Sequence, residues 1–151
     1  MLKVRIDQDL KTALLAGDKV LATTLRGLKS VILYAEVAKG VRGDGLPDEE
    51  VVSLFAKEVK KRQESADLYT QGGNVQRAEA ELAEKAVIEN YLPKQLSDDE
   101  LRAVIDTAVH ETDAQGPQAM GQVIGIVKQR VGSTADGSRI AQFTKERLQE
   151  A

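Results

Sequence analysis

The sequence has no cysteine and no tryptophan, a single histidine and only three prolines. Without cysteine there are no disulfides, no thiolate nucleophile, no iron–sulfur cluster and no thiolate zinc site. With His110 as the lone imidazole, neither a catalytic triad nor a metal site is expected, and no cofactor is implied. The aromatics are Tyr34, Phe55, Tyr69, Tyr91 and Phe143, too sparse to predict a platform for stacking bases. No stretch reaches the roughly 18 apolar residues of a membrane span. The opening MLKVRIDQDLK alternates charge with aliphatics, unlike a signal peptide. The expected location is therefore the cytoplasm, in a bacterial-type setting. Excess charge of one sign is also missing. The 21 Lys and Arg residues stand against 24 Asp and Glu, a net charge of −3, which argues against a strong nonspecific nucleic-acid binder.

What the sequence does have is helical periodicity throughout, with no alternating strand pattern. Leu2, Ile6, Leu10 and Leu14 mark a first helix ending near Gly17. Asp18 caps a second, with Leu21, Leu25, Leu28 and Ile32 on one face. A glycine-rich break at 39–45 precedes a third helix from Pro47, carrying Val52, Phe55, Val59, Ala66 and Tyr69 to Gly72-Gly73. A fourth bears Val75, Ala78, Leu82 and Ala86 and stops before Pro93. Beyond it, Ser97-Asp98-Asp99-Glu100 reads as a capping box for a fifth helix. Gly116-Pro117 opens a sixth, and 136–148 forms a seventh. The predicted fold is all-α: a four-helix N-terminal domain over 1–93 and a small three-helix tail domain over 94–151.

Few side chains suggest chemistry. Asp48-Glu49-Glu50 and Asp98-Asp99-Glu100 lie in first helical turns, where negative charge offsets the macrodipole by about 0.3–1 kcal/mol. The structural reading is preferred there, because no histidine or nucleophile motif accompanies either cluster. His110 reads as a surface histidine near a helix end. Neither the Gly-x-Ser-x-Gly elbow nor a phosphate-binding loop occurs. No catalytic residue is assigned, and an enzyme is not expected. Lys57, Lys60 and Lys61 form a basic ridge on the third helix, partly neutralised by an expected Glu58–Arg62 pair. Arg26 and Lys29 form another on the second helix. A solvated face is the preferred reading for both ridges.

The tail is more informative. Its first part, 97–116, carries Asp98, Asp99, Glu100, Asp106, Glu111 and Asp113 against Arg102 alone. Its second part is locally basic, with Lys128, Arg130, Arg139, Lys145 and Arg147 against Asp136, Glu146 and Glu150. Such a corner can steer an anionic partner despite the overall charge. Met120, Val123, Ile124, Val127 and Val131 trace one helical face. Gly132 stands at the predicted helix end, and Asp136 is the predicted N-cap of the last helix, whose first amides could face a phosphate. Gly121 and Gly125, one turn apart, each cost about 1 kcal/mol relative to Ala. Close approach of a neighbouring helix is the preferred explanation, ahead of backbone exposed to an RNA sugar–phosphate.

The run Met120-Gly121-x-Val123 through Lys128, with Gly132 and Ala135-Asp136-Gly137, closely resembles the tail of the GatB/YqeY family. Leu10-Lys11-Thr12-Ala13, Leu25-Arg26-Gly27-Leu28-Lys29, Lys60 to Ser65 and Tyr91-Leu92-Pro93-Lys94-Gln95-Leu96 resemble the rest of the stand-alone YqeY proteins. The resemblance implies the same helical division and a tail shared with the B subunit of the glutamine-dependent Asp-tRNA/Glu-tRNA amidotransferase. There the tail contacts tRNA, while the transfer chemistry resides in a separate domain. The partner implied is tRNA, and with it a tRNA-processing enzyme. The expected contacts are Lys128, Arg130, Ser133, Thr134, Gly137 and Arg139. Relatives often carry Lys or Arg where this chain has Ser133-Thr134, which removes one charge-assisted contact. The alternative is a helical protein–protein adaptor that uses the N-terminal domain and binds no RNA.

Overall fold

The computed structural model describes residues 1–150, and among these every regular element is a helix. No described helix is long and apolar enough to cross a membrane. Two compact units are present, Met1–Leu92 and a second from Pro93 onward.

In the first unit, α1 (Leu2–Ala16) ends at Gly17. Its φ of 71° lets the Asp18 amide donate back to the Ala13 carbonyl at 3.0 Å. Glycine fits that left-handed position without strain. Asp18 then caps α2 (Lys19–Lys39), its carboxylate accepting from the Leu21 amide at 3.1 Å. The long helices α3 (Asp48–Gln71) and α4 (Val75–Glu89) form an antiparallel hairpin turned by Gly72-Gly73-Asn74. The core gathers Ile6, Leu10, Leu25, Ile32, Val51 and Phe55, closed by Ile88 and Tyr91. Each fully buried aliphatic or aromatic here stabilises the unit by about 1.5–3 kcal/mol.

Two polar features sit against this core. Glu36 has no exposed surface, and Lys3 Nζ reaches both its carboxylate oxygens, at 2.9 and 3.2 Å. Tyr91 donates its hydroxyl to Asp9 at 2.5 Å, stands edge-on to Phe55, and lies under the Arg5 guanidinium at 4.7 Å. Burial, and then the Asp9 carboxylate, push its phenol well above the ordinary value.

Three expectations for this unit need correction. Leu14 is half exposed, and Ala13 is buried in its place. A walk in steps of four advances 40° per step around a helix of 3.6 residues per turn, so by Leu14 the stripe has left the core. Val75 and Leu82 are also exposed. The outer part of the hairpin packs as two helices only, and a narrow strip around Ala66 and Ala78 is all that closes there. Arg62 turns to α4, pairing with Glu81 at 2.9 Å and Glu84 at 3.3 Å, while Glu58 meets Lys61. Paired across the hairpin, Arg62 is 27% exposed.

The second unit packs α5 (Asp98–Thr112), α6 (Met120–Val131) and α7 (Gly137–Gln149) around Leu101, Ile105, Val123, Val127, Ile140 and Leu148. The capping box is formed: Ser97 Oγ accepts from the Glu100 amide, and the Glu100 carboxylate accepts from the Ser97 amide. Pro117–Ala119 makes a 3₁₀ turn before α6 starts at Met120, later than the sequence suggested. Proline suits that first turn because its missing N–H has no helical partner to lose.

Candidate nucleic-acid interface

The six residues expected to meet RNA fall on α6, on α7 and on the turn between them. Helix α6 turns Val123, Val127 and Val131 into the core. A second, exposed face carries Gly121, Gly125 and Lys128, spaced i, i+4, i+7. A Cβ built on either glycine meets nothing within 4 Å. Close helix packing therefore does not explain these glycines, contrary to the preferred sequence reading. What they provide is bare helical backbone open to solvent.

Lys128 continues that face toward α7. Its Cε and Nζ lie 3.7 and 3.8 Å from the position a Cβ would take on Gly137. No carboxylate comes within ion-pair distance of Lys128 or of the exposed Lys145 among the described residues. A lysine held beside a helix start without a counter-charge leaves local positive potential uncompensated. Asp136 moderates it, because its carboxylate accepts from the Ser138 amide at 2.8 Å as the N-cap. Gly132 has φ 55° and ψ −127°, outside the left-handed helical basin expected of it, and starts a 3₁₀ turn over Gly132–Thr134. Ser133 on that turn is exposed, and its carbonyl accepts from Gln95 Nε2 at 3.0 Å.

The structure thus brings Lys128 and Gly137 together, with Ser133 exposed on the adjoining turn. The other three are engaged within the fold. Thr134 donates its hydroxyl to the Val131 carbonyl, and its own carbonyl accepts from the Leu96 amide at 2.8 Å. Arg139 donates to the Leu96 carbonyl at 2.9 Å and to Asp98 at 2.7 Å, with Phe143 beneath it. Arg130 pairs with Glu111 on α5. Sequence reading grouped these cations because each belongs to the basic half of the tail. The partners that neutralise Arg130 and Arg139 belong to α5 and the segment before it, distant in sequence.

Elsewhere on this unit, Arg147 donates to Asp106 at 2.8 Å, and that bond chiefly holds the Asp106 carboxyl below its ordinary value. His110 lies 3.5 Å from the same carboxylate and is exposed. Among the described residues, no group of three or more His, Asp or Glu is placed to hold a metal ion.

The comparison with known proteins agrees in extent with the helices described. One similar protein is "Altered inheritance of mitochondria protein 41, mitochondrial" from the yeast Lachancea thermotolerans, 31% identical over 87 residues. That match takes in 58% of this chain and 46% of the yeast protein, so less than half of the relative is represented. The family described as Yqey-like protein matches residues 3–148, from the first turn of α1 to the last turn of α7. With nearly the whole sequence so accounted for, the chain belongs to the YqeY-like protein family.

Proposed function

We propose that this protein is a non-catalytic accessory factor that binds tRNA through its tail and assists a tRNA-processing enzyme. The observation that carries the reading is the open face of α6. There Gly121 and Gly125 expose backbone, and Lys128 supplies a cation without an ionic partner. Phosphate oxygens can approach helical backbone closely only where no side chain intervenes, and Lys128 gives them their charge partner. The likeness of 120–137 to the amidotransferase tail points to the same class of partner. Of the six expected contacts, Lys128, Ser133 and Gly137 form the contact surface. Arg130, Thr134 and Arg139 support it from within the fold.

Binding of purified tRNA is measured at two salt concentrations, with an unrelated structured RNA as control. The expected outcome is saturable binding that prefers tRNA and weakens with salt. Lys128→Ala should lower affinity and reduce the slope of log K against log salt by about 0.9. Binding equal for both RNAs, or a slope that Lys128→Ala leaves unchanged, refutes the assignment.

A second reading, a protein–protein adaptor, is favoured by the apolar side chains left in solvent on α1 and α2, among them Leu15, Val20 and Tyr34. Recovery of one specific protein after nuclease treatment would select it over the first.

A further inference from the structure

The outward face of α2 has a composition the fold does not explain. Gly27 lies in the middle of this 21-residue helix, exposed, with nothing within 4 Å of a Cβ built on it. Glycine there costs about 1 kcal/mol relative to alanine, and no neighbour in the chain requires it. One and two turns further on, Ser30, Leu33, Tyr34 and Val37 share the same face. Leu33 is 42% exposed, Tyr34 76% and Val37 58%. Toward the start of the helix, the face carries Lys19, Thr23 and Arg26, with no ion pair to either cation. A gap in one half of the face and bulk in the other match each other when the helix meets an inverted copy of itself.

We infer that this face is a self-association surface, on which α2 of one copy packs antiparallel against α2 of a second, with Ser30 on the two-fold axis. In that register, residue i of one helix lies level with residue 60 − i of the other. Val37 is then level with Thr23 of the second copy, while Tyr34 reaches Gly27 and Leu33 the methylene stem of Arg26, each one residue (about 1.5 Å) out of level. Around the helix, Tyr34 and Gly27 fall on one side of the seam and Leu33 and Arg26 on the other, so these pairs meet without crossing it. The antiparallel sense keeps each copy's Lys19 and Arg26 away from their counterparts, whereas a parallel pair would stack like charges. An isologous interface of this kind closes as a dimer and does not propagate. It uses one helix face about 27 Å long, at the small end of specific interfaces, so association at micromolar concentration is expected.

The test uses the full chain, which has no cysteine of its own. Ser30→Cys is expected to form a covalent dimer under mild oxidation. Lys19→Cys is not, because its two copies stand about 33 Å apart along the paired helices. Sedimentation of the unaltered protein is expected to reveal a monomer–dimer equilibrium that Gly27→Gln and Tyr34→Ala each weaken about tenfold or more. Glutamine is a good helix former and enters open space at position 27, so that variant keeps its fold. A protein monomeric up to about 0.5 mM, a dimer indifferent to both substitutions, or equal crosslinking at both cysteine positions overturns the inference.

Discussion

Gly121 and Gly125 separate the needs of folding from those of binding, and replacing both with alanine tests the two together. A Cβ at either position enters open space, so no clash offsets the gain in helix propensity. Each substitution should therefore stabilise α6 by about 0.4–1 kcal/mol, through a less free unfolded chain and a stiffer helix. The sites are one turn apart without shared contacts, so the double variant should gain roughly 1–2 kcal/mol. For a unit this small, that corresponds to a rise of about 4–8 °C in midpoint per kcal/mol. Urea unfolding followed by circular dichroism, with amide exchange of α6 to assign the gain to the tail, supplies the measurement. In parallel, tRNA affinity should fall, because two methyl groups now stand on the face where backbone would meet phosphate. A variant that is no more stable would refute the claim that the face is open. A variant that is more stable yet binds tRNA unchanged would refute its use as the interface.

Other outcomes follow from the first unit and from the chain's division. Lys3→Met should cost about 3 kcal/mol by stranding the buried Glu36 carboxylate, while Lys3→Met with Glu36→Leu should recover most of it in a double-mutant cycle. The raised phenol of Tyr91 means stability that is complete below its unfolded pKa of about 10 and is lost as pH rises above it. Tyr91→Phe should flatten that alkaline limb in unfolding experiments and, by removing the hydrogen bond to Asp9, cost about 1 kcal/mol at neutral pH. Fragments 1–93 and 94–151, made separately, should each unfold cooperatively. A tail fragment that stays unstructured would count against two independently folding domains.

How much was legible in the sequence depended on how local the determining physics was. The helical class, the cap residues Asp18, Ser97 and Asp136, and the break at Gly17 rest on neighbours a few positions away, and they are found where the pattern indicated. Buried faces were legible on α6, as with Val123, Val127 and Val131, whereas on α1 the drift of a four-residue step buries Ala13 and leaves Leu14 out. They were misread where α3 and α4 pack as a bare pair, because Leu82 is apolar by pattern but has no third helix to cover it. Among the site residues, Lys128 and Arg139 have the same charge and similar settings in the sequence. Only the fold places Asp98 and the Leu96 carbonyl against Arg139 and leaves Lys128 without a partner. The glycines of α6 were misassigned for the same reason, since sequence gives the cost of a helical glycine but not the space beside it.

The outer half of the α3–α4 hairpin has consequences for how the molecule breathes. Its only buried side chains are the small Ala66 and Ala78, and it is fastened by Arg62 to Glu81 and Glu84, by Lys85 Nζ donating to Gln63 at 2.8 Å, and by Arg77 over the Tyr69 ring. Little apolar area is lost when such a segment opens, and ionic fastenings loosen as salt rises. This hairpin tip should thus open more readily than the core of Met1–Leu92. Amide exchange and protease nicking should begin near Gly72-Gly73, and ionic strength should set their rate while the core around Phe55 stays protected.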